Sequence, residues 1–481
     1  MVMAKIPQRG GSNNKTSLEI KAFGGINTLP NRKLGQPSAG KNFLTVGGKF
    51  RTRPGLVAAP GITALTKEIR SLHFAKMAQT SERFLAETVD GIYYYDSDLE
   101  EWDLKDAGYA SNYGFSSAIW RDEIVLAGGN KMNLFGIETP TLTLNFTTGS
   151  ESGAAGEGVA VFKDRVFLFG PNYAPAYKLK FNGYEYVYDE ETEEYTDEIV
   201  DVDIFVWPEK YQIPANDGDS ILSVIPTGSS MFILTGNGYW HVYGNNEDDF
   251  EVIREGDIGC YDLNHGKLVG DIIVWLGKDK KVYVYTGSTA EHVSGPIDEY
   301  LSAQTFSVTT VRCHSFSGQF WIIFRGTTTT AYVFDTVEKQ WYIYEFPVNI
   351  SAACMRNNII HFGTSTGAIL QFIEGVNDNG TTITTDSTLG PINMQSRKIK
   401  VKNFYISANP GNDFDIDISS VVDDYEESSP DICSFNEGSE STQNVKVNSR
   451  KGLDIYVKIS STDIINELSG GTIIVSAGQL K

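Results

Sequence analysis

The chain has 481 residues, 41% of them apolar, and a formal net charge of −21. That is enough to bury one large core or several smaller ones. No run of eighteen apolar residues occurs, so no helical membrane span is expected. The acidic balance is unlike that of ordinary proteins that grip double-stranded DNA.

The N-terminal stretch "MVMAKIPQRGGSNNK" lacks the apolar centre of a secretory signal, so export by that route is not expected. The charge is unevenly spread. Residues 1–70 hold twelve Lys and Arg against Glu19 and Glu68, while the rest carries twenty-eight against fifty-nine acids, about −31. Residues 23–55 contain seven glycines and no acid. Glycine admits close backbone approach and positive φ, and Pro30, Pro37 and Pro54 disfavour helix. Residues 1–67 therefore read as an extended basic arm, with a strand near 52–62 that helps close the next domain. Its positive charges are expected to meet the acidic body of a neighbouring subunit, with DNA phosphate as the alternative.

From residue 68 one pattern repeats: an apolar or alternating run, a turn, and a second run rich in aromatics. The turns fall at Asp90-Gly91, Arg121-Asp122, Lys163-Asp164, Asn237-Gly238 and around Lys278-Asp279. "QFWIIFRGTTTTAYVFDTVEKQWYIYEF" and "NIIHFGTSTGAILQFIEG" complete the series. Several short strands per unit, repeated about every 40–50 residues, mark a β-propeller, because a lone blade cannot bury its own face. The reading is all-β: a propeller of about seven blades, alternatively six, over 68–392. Only "PIDEYLSAQ" (296–304) has helical character. An insertion at about 180–205, with ten acids between 184 and 203, reads as an exposed acidic hairpin rather than a calcium site. Residues 393–481 carry five or six alternating strands and read as a small antiparallel β-sandwich.

Chemistry-bearing motifs are scarce. The six histidines (73, 241, 265, 292, 314, 361) have no metal-ligand spacing, and each alone is expected to be structural. Cys313 and His314 are adjacent, but neighbours on a strand point to opposite faces. Cys260, Cys313, Cys354 and Cys433 read as isolated reduced thiols. No nucleophile elbow, P-loop or dinucleotide fingerprint occurs. No motif singles out a carboxylate pair of the glycosidase type. Neither cofactor nor metal is expected.

"FGGINT" (23–28), "LPNRKLGQPSAGKNFL" (29–44) and "GGKFRTRPG" (47–55) resemble the opening of tail nozzle, or tail tubular, proteins of short-tailed bacteriophages and the related packaged-DNA stabilisation propellers. "GDIGCYDLNHGKLVGDIIVWLGKDKKVYVYTG" (256–287) and "SGPIDEYL" (294–301) are similar to an internal segment of the same proteins. The resemblance implies a non-enzymatic virion protein of the tail, made in the host cytoplasm. It implies a homo-oligomeric ring, by family a hexamer, beside a head-to-tail adaptor and tail fibre or needle proteins. Genomic double-stranded DNA would be retained and then pass without sequence-specific binding, past an acidic lumen. Phe23, Gly24, Gly25, Arg32, Lys33, Lys49, Arg51 and Arg53 are the candidate assembly-arm interface, and deletion of residues 1–55 is expected to leave a folded monomer. The alternative is a carbohydrate-binding or glycoside-processing propeller, with Trp102, Trp207 and Trp240 available to stack sugars.

Overall fold

The structure is a computed structural model that describes residues 15–77, 81–107, 114–120, 123–128, 131–136, 142–143, 156–170, 178–181, 187–189, 194–196, 212–214, 218–245, 249–392, 399–408, 412–422, 431–438, 441–447 and 453–477. Seven four-stranded antiparallel sheets form the blades of a propeller. Their first strands are Ile69–Met77, Ser116–Trp120, Gly158–Phe162, Ile221–Pro226, Gly266–Val269, Val311–Phe316 and Ile350–Arg356, for blades 1 to 7. Each first strand touches the first strands of its two neighbours, and that of blade 7 touches that of blade 1. The seven therefore surround the axis as a closed ring.

Local sequence explains the blades. Lys163 and Asp164, at φ 49° and 58°, make the tight turn between Gly158–Phe162 and Arg165–Phe169. Asn357 and Asn358 do the same in blade 7, at φ 51° and 63°. Such left-handed pairs match the twist of a hairpin, and Asn and Asp tolerate them best. Between blades the strands interlock through aromatics. Phe232 and Tyr239 of blade 4 pack on Trp275 and Tyr285 of blade 5, with ring centroids 5.0–6.1 Å apart. Burying one such ring contributes roughly 1.5–3 kcal/mol. The helical segment is a short 3-10 turn, Gly295–Ile297, and a helix, Asp298–Ser302, anchored by buried Ile297 and Leu301.

Blade 7 takes three strands from residues 350–373. Its fourth is Gly55–Ala58, which pairs with Ile369–Ile373. The ring is thus closed by chain from both sides of the repeat.

Two further sheets form a sandwich beside the propeller. One runs Phe43–Val46, Lys49–Thr52, Leu468–Ala477, Ile399–Ala408, Ser441–Lys446, with Lys15–Ile20 also paired to Leu468–Ala477. The other runs Ala39–Lys41, Thr385–Ile392, Ile455–Ser461, Phe414–Val422, Asp431–Phe435. Alternation along Ile455–Ser461 buries Ile455, Val457 and Ile459 between the sheets. The sandwich takes in more chain than residues 393–481: it includes Thr385–Ile392 and four strands of the leader. Of the acidic insertion, Lys180 and Phe181 end the third strand of blade 3, and Val187–Asp189 and Glu194–Thr196 pair as a two-stranded hairpin; the rest of 180–205 lies outside the described residues.

Candidate functional site

Two clusters of charge stand out. The first joins the leader to the body. Arg53 is 2% exposed, and all five of its guanidinium N–H groups are used. Nε donates to Asn42 Oδ1 (3.0 Å), one terminal nitrogen to Pro54 O (2.7 Å) and Asp378 Oδ1 (2.9 Å), the other to Glu345 O and Asp378 Oδ2 (both 2.5 Å). The guanidinium also lies 4.2 Å over the ring of Phe346. Asp378 belongs to the segment that leads from blade 7 to the sandwich, and it accepts from Leu56 N as well (3.2 Å). One side chain thereby ties the leader, blade 6 and that linker together.

The other candidate arm residues also meet their own chain. Phe23 is buried against Phe50, and its N–H donates to Gly48 O. A Cβ on Gly25 would lie 2.5 Å from Trp341 O, so only glycine lets the leader dock here. Gly25 N–H donates to Gln340 Oε1. Gly24 N–H donates to Gly35 O. Arg32 donates to Gly390 O (2.6 Å), and burial lowers its pKa. Lys49 (2.8 Å) and Arg51 (3.6 Å) both reach Glu467, and Lys41 reaches Glu345 (2.7 Å). Lys33 is exposed and, among the described residues, has no ion-pair partner. The expectation that these charges answer a neighbour's acids gives way for Lys41, Lys49, Arg51 and Arg53. Their acids lie on the same chain, brought close by folding. The expected folded monomer without residues 1–55 gives way too: that deletion removes Phe23, Ile26, Phe43, Phe50 and Arg53 from the largest hydrophobic cluster and its clamp.

The second cluster lies on the propeller axis, in a cavity of about 220 Å³. Its walls come from blades 1, 2, 5, 6 and 7. Blades 1 and 5 lie across a seven-membered ring from each other, so a shared cavity spans the axis. Arg70, Lys267 and Arg312 line it, with Ser71, His73, Ser117, His265, Cys313, His314 and Ser351 among their neighbours. Each cation is the second residue of its blade's first strand, as are Ser117 and Ser351. The equivalent residues of blades 3 and 4 are Val159 and Leu222. Along this cavity the chain, acidic as a whole, presents three cations.

Burial sets the protonation of this cavity. It lowers the imidazole pKa to about 4 for His73 and about 3 for His265 and His314, with Arg312 and Lys267 adding to the effect at the last two. These rings are neutral at pH 7. His73 bridges Ser117 Oγ (2.8 Å) and Ser71 Oγ (2.9 Å), and Ser71 donates to Glu87 (2.8 Å). Burial pushes Glu87 up to about 7, against the pull of Ser71, Phe115 N–H, Arg70 and Arg312. Burial lowers the Lys267 ammonium and raises the Cys313 thiol. Among the described residues, no group of three His, Cys, Asp or Glu is placed to hold a metal ion.

The three histidines read singly as structural thus share one cavity. The aromatics considered for sugar stacking are packed: Trp102 lies on Phe84 and Tyr95 and donates to Thr63 O, and Trp240 is 6% exposed beneath Arg254. Trp207 lies outside the described residues.

No protein-family model and no curated sequence matches the chain. Solved structures do. The chain is similar to the WD40 repeats of RRP9 (7% identity, TM-score 0.41, 67% of this chain and 99% of that one) and to U3-55K (8%, 0.41, 66% and 99%). It is also similar to BamB from Moraxella catarrhalis (8%, 0.39, 68% and 98%). At such identities the likeness concerns fold alone: the chain is an all-β protein built on a β-propeller.

Proposed function

We propose that the chain is a structural, non-enzymatic subunit of a short-tailed bacteriophage tail. Copies made in the host cytoplasm form a ring, a hexamer by family resemblance, beside the head-to-tail adaptor and the fibre or needle proteins. The ring retains packaged DNA and lets it out. The observation that carries this reading is where the resembling residues sit: each motif is a joint between units of the fold. Gly25 seats the leader on blade 6. Arg53 clamps it to the linker. In the Ile-Gly-Cys turn, a Cβ on Gly259 would lie 1.9 Å from Gly236 O, and Cys260 N–H donates to Thr235 O, so this turn joins blades 4 and 5. In "SGPIDEYL", Pro296 O accepts from Thr28 N–H of the leader. A motif set made of joints suits a part that carries mechanical stress.

The DNA path in this reading is the axis of the subunit ring. The propeller's own cavity cannot take a duplex whose major groove alone is about 12 Å wide. Mass photometry and negative-stain images of the full-length protein, alone and with phage tails lacking this subunit, test the proposal. A ring of six 53.1-kDa chains, or restored DNA retention in those tails, is expected. A protein that stays monomeric and fails to join the tails overturns it.

A further inference from the structure

We propose that the axial cavity is a binding site for a phosphate-type oxyanion. Arg70, Lys267 and Arg312 reach it from blades 1, 5 and 6 and surround it from several sides. The Lys267 ammonium makes no hydrogen bond or ion pair among the described residues, and its half-buried side chain lines the cavity. An ammonium in such a place is costly unless a counter-charge joins it. The protein supplies only part of that charge. Asp262 and Glu87 lie near Arg312, but neither lines the cavity, and burial favours the neutral form of both carboxyls.

Hydrogen-bonding capacity points the same way. His265, 3% exposed, lines the cavity with its Nδ1 unpartnered, and His314 Nε2 is unpartnered as well. Ser117, whose Oγ is shared with His73 Nδ1, adds a hydroxyl at the level of the three cations, whereas the Ser351 hydroxyl donates to Gly363 O (3.2 Å). A tetrahedral oxyanion accepts from several donors at once, and its protonated oxygen can donate to a neutral imidazole. The volume suits an anion of phosphate size with a small substituent or a few waters, and excludes a folded macromolecule. This inference rests on the propeller alone and stands apart from the tail reading.

The test uses inorganic phosphate and the full-length protein. Phosphate is expected to raise the melting temperature beyond chloride at equal ionic strength, and Lys267→Met is expected to weaken phosphate binding by calorimetry about tenfold or more. Protection in the unaltered protein gives a reading independent of any variant's folding. Bound phosphate should slow reductive methylation of Lys267, followed by mass spectrometry, and leave exposed Lys33 unchanged. Running the same assay with a nucleoside monophosphate and a 5′-phosphorylated dinucleotide separates free phosphate from a terminal phosphate monoester. Equal melting temperatures in phosphate and chloride, with Lys267 modified equally fast in both, would overturn the proposal.

Discussion

Arg53 and Lys267 both carry a positive charge into the body of the protein. Arg53 spends every donor on groups of the same chain and faces a carboxylate across two hydrogen bonds. Lys267 has no such partner among the described residues and lines a cavity instead. A buried cation that is fully paired costs little to keep and much to disturb, because its partner is left exposed to the loss. A buried cation without a partner is a standing cost, and a protein keeps it where something else completes the site. The leader clamp and the axial cavity therefore read differently: the first as architecture, the second as a place for a ligand.

The largest test of this contrast is Arg53→Met. It strands Asp378 and should cost about 3–5 kcal/mol of unfolding free energy. Denaturant titration measures it, and a change below 1 kcal/mol would mean that the clamp does not hold the leader. The double variant Arg53→Met, Asp378→Leu should recover part of the loss, since no charge is then left unpaired.

Acid acts on the other side of the comparison. The folded pKa values of His73, His265 and His314 lie below the 6.5 of a free histidine, so the unfolded chain takes up protons first. Their contribution is full above pH 6.5 and falls as pH drops toward 4 for His73 and 3 for the other two, by about 1.4 kcal/mol per pH unit for each ring. Glu87 works in the opposite sense: its folded pKa of about 7 exceeds the usual value, so its contribution is lost as pH rises from 4.5 to 7. It offsets one histidine. A net loss worth two rings is expected between pH 6.5 and 4.5, and replacing His265 and His314 by Asn should flatten it in pH-dependent melting curves.

Lys267→Met should leave stability at pH 7 unchanged or raise it by about 1 kcal/mol, since it removes an unpaired, half-buried charge. In the parent, the lowered ammonium pKa means that stability still climbs as pH approaches 10.5. The variant should lose that climb. A marked destabilisation at pH 7 would show that Lys267 is paired after all. The smallest effect belongs to the rim of the leader: Lys49→Ala breaks a half-exposed pair with Glu467 and should cost about 0–1 kcal/mol by thermal melts.

Much of the propeller was written locally. Turn pairs such as Asp90-Gly91 and Asn237-Gly238 fix hairpins without reference to anything distant, and their rhythm counts the blades. The leader was not legible in the same way. Its partner strands lie at 385–392 and 468–477, and nothing near residue 53 announces that Asp378 will be its acid. Net charge was silent about the axial cations for a similar reason. An acidic surface says nothing about the few residues that face an axis, and ring closure alone brings residue 70 beside residues 267 and 312. One signal was available: when the repeats are aligned on their first strands, Arg70, Lys267 and Arg312 fall at the same position, with Ser117 and Ser351 beside them.

Gly55–Ala58 completes blade 7 by pairing with a strand more than three hundred residues downstream. On the ribosome, at roughly 5–20 residues per second, the early strands wait tens of seconds for their partners. Blades 1 to 6 have all their strands by residue 346, yet neither the seventh blade nor the sandwich can form until synthesis has passed residue 369 and then residue 468. The closing step is therefore timed to the end of translation. Nascent chains arrested before residue 369 should show protease-sensitive bonds in residues 15–58 that disappear once the full chain is released.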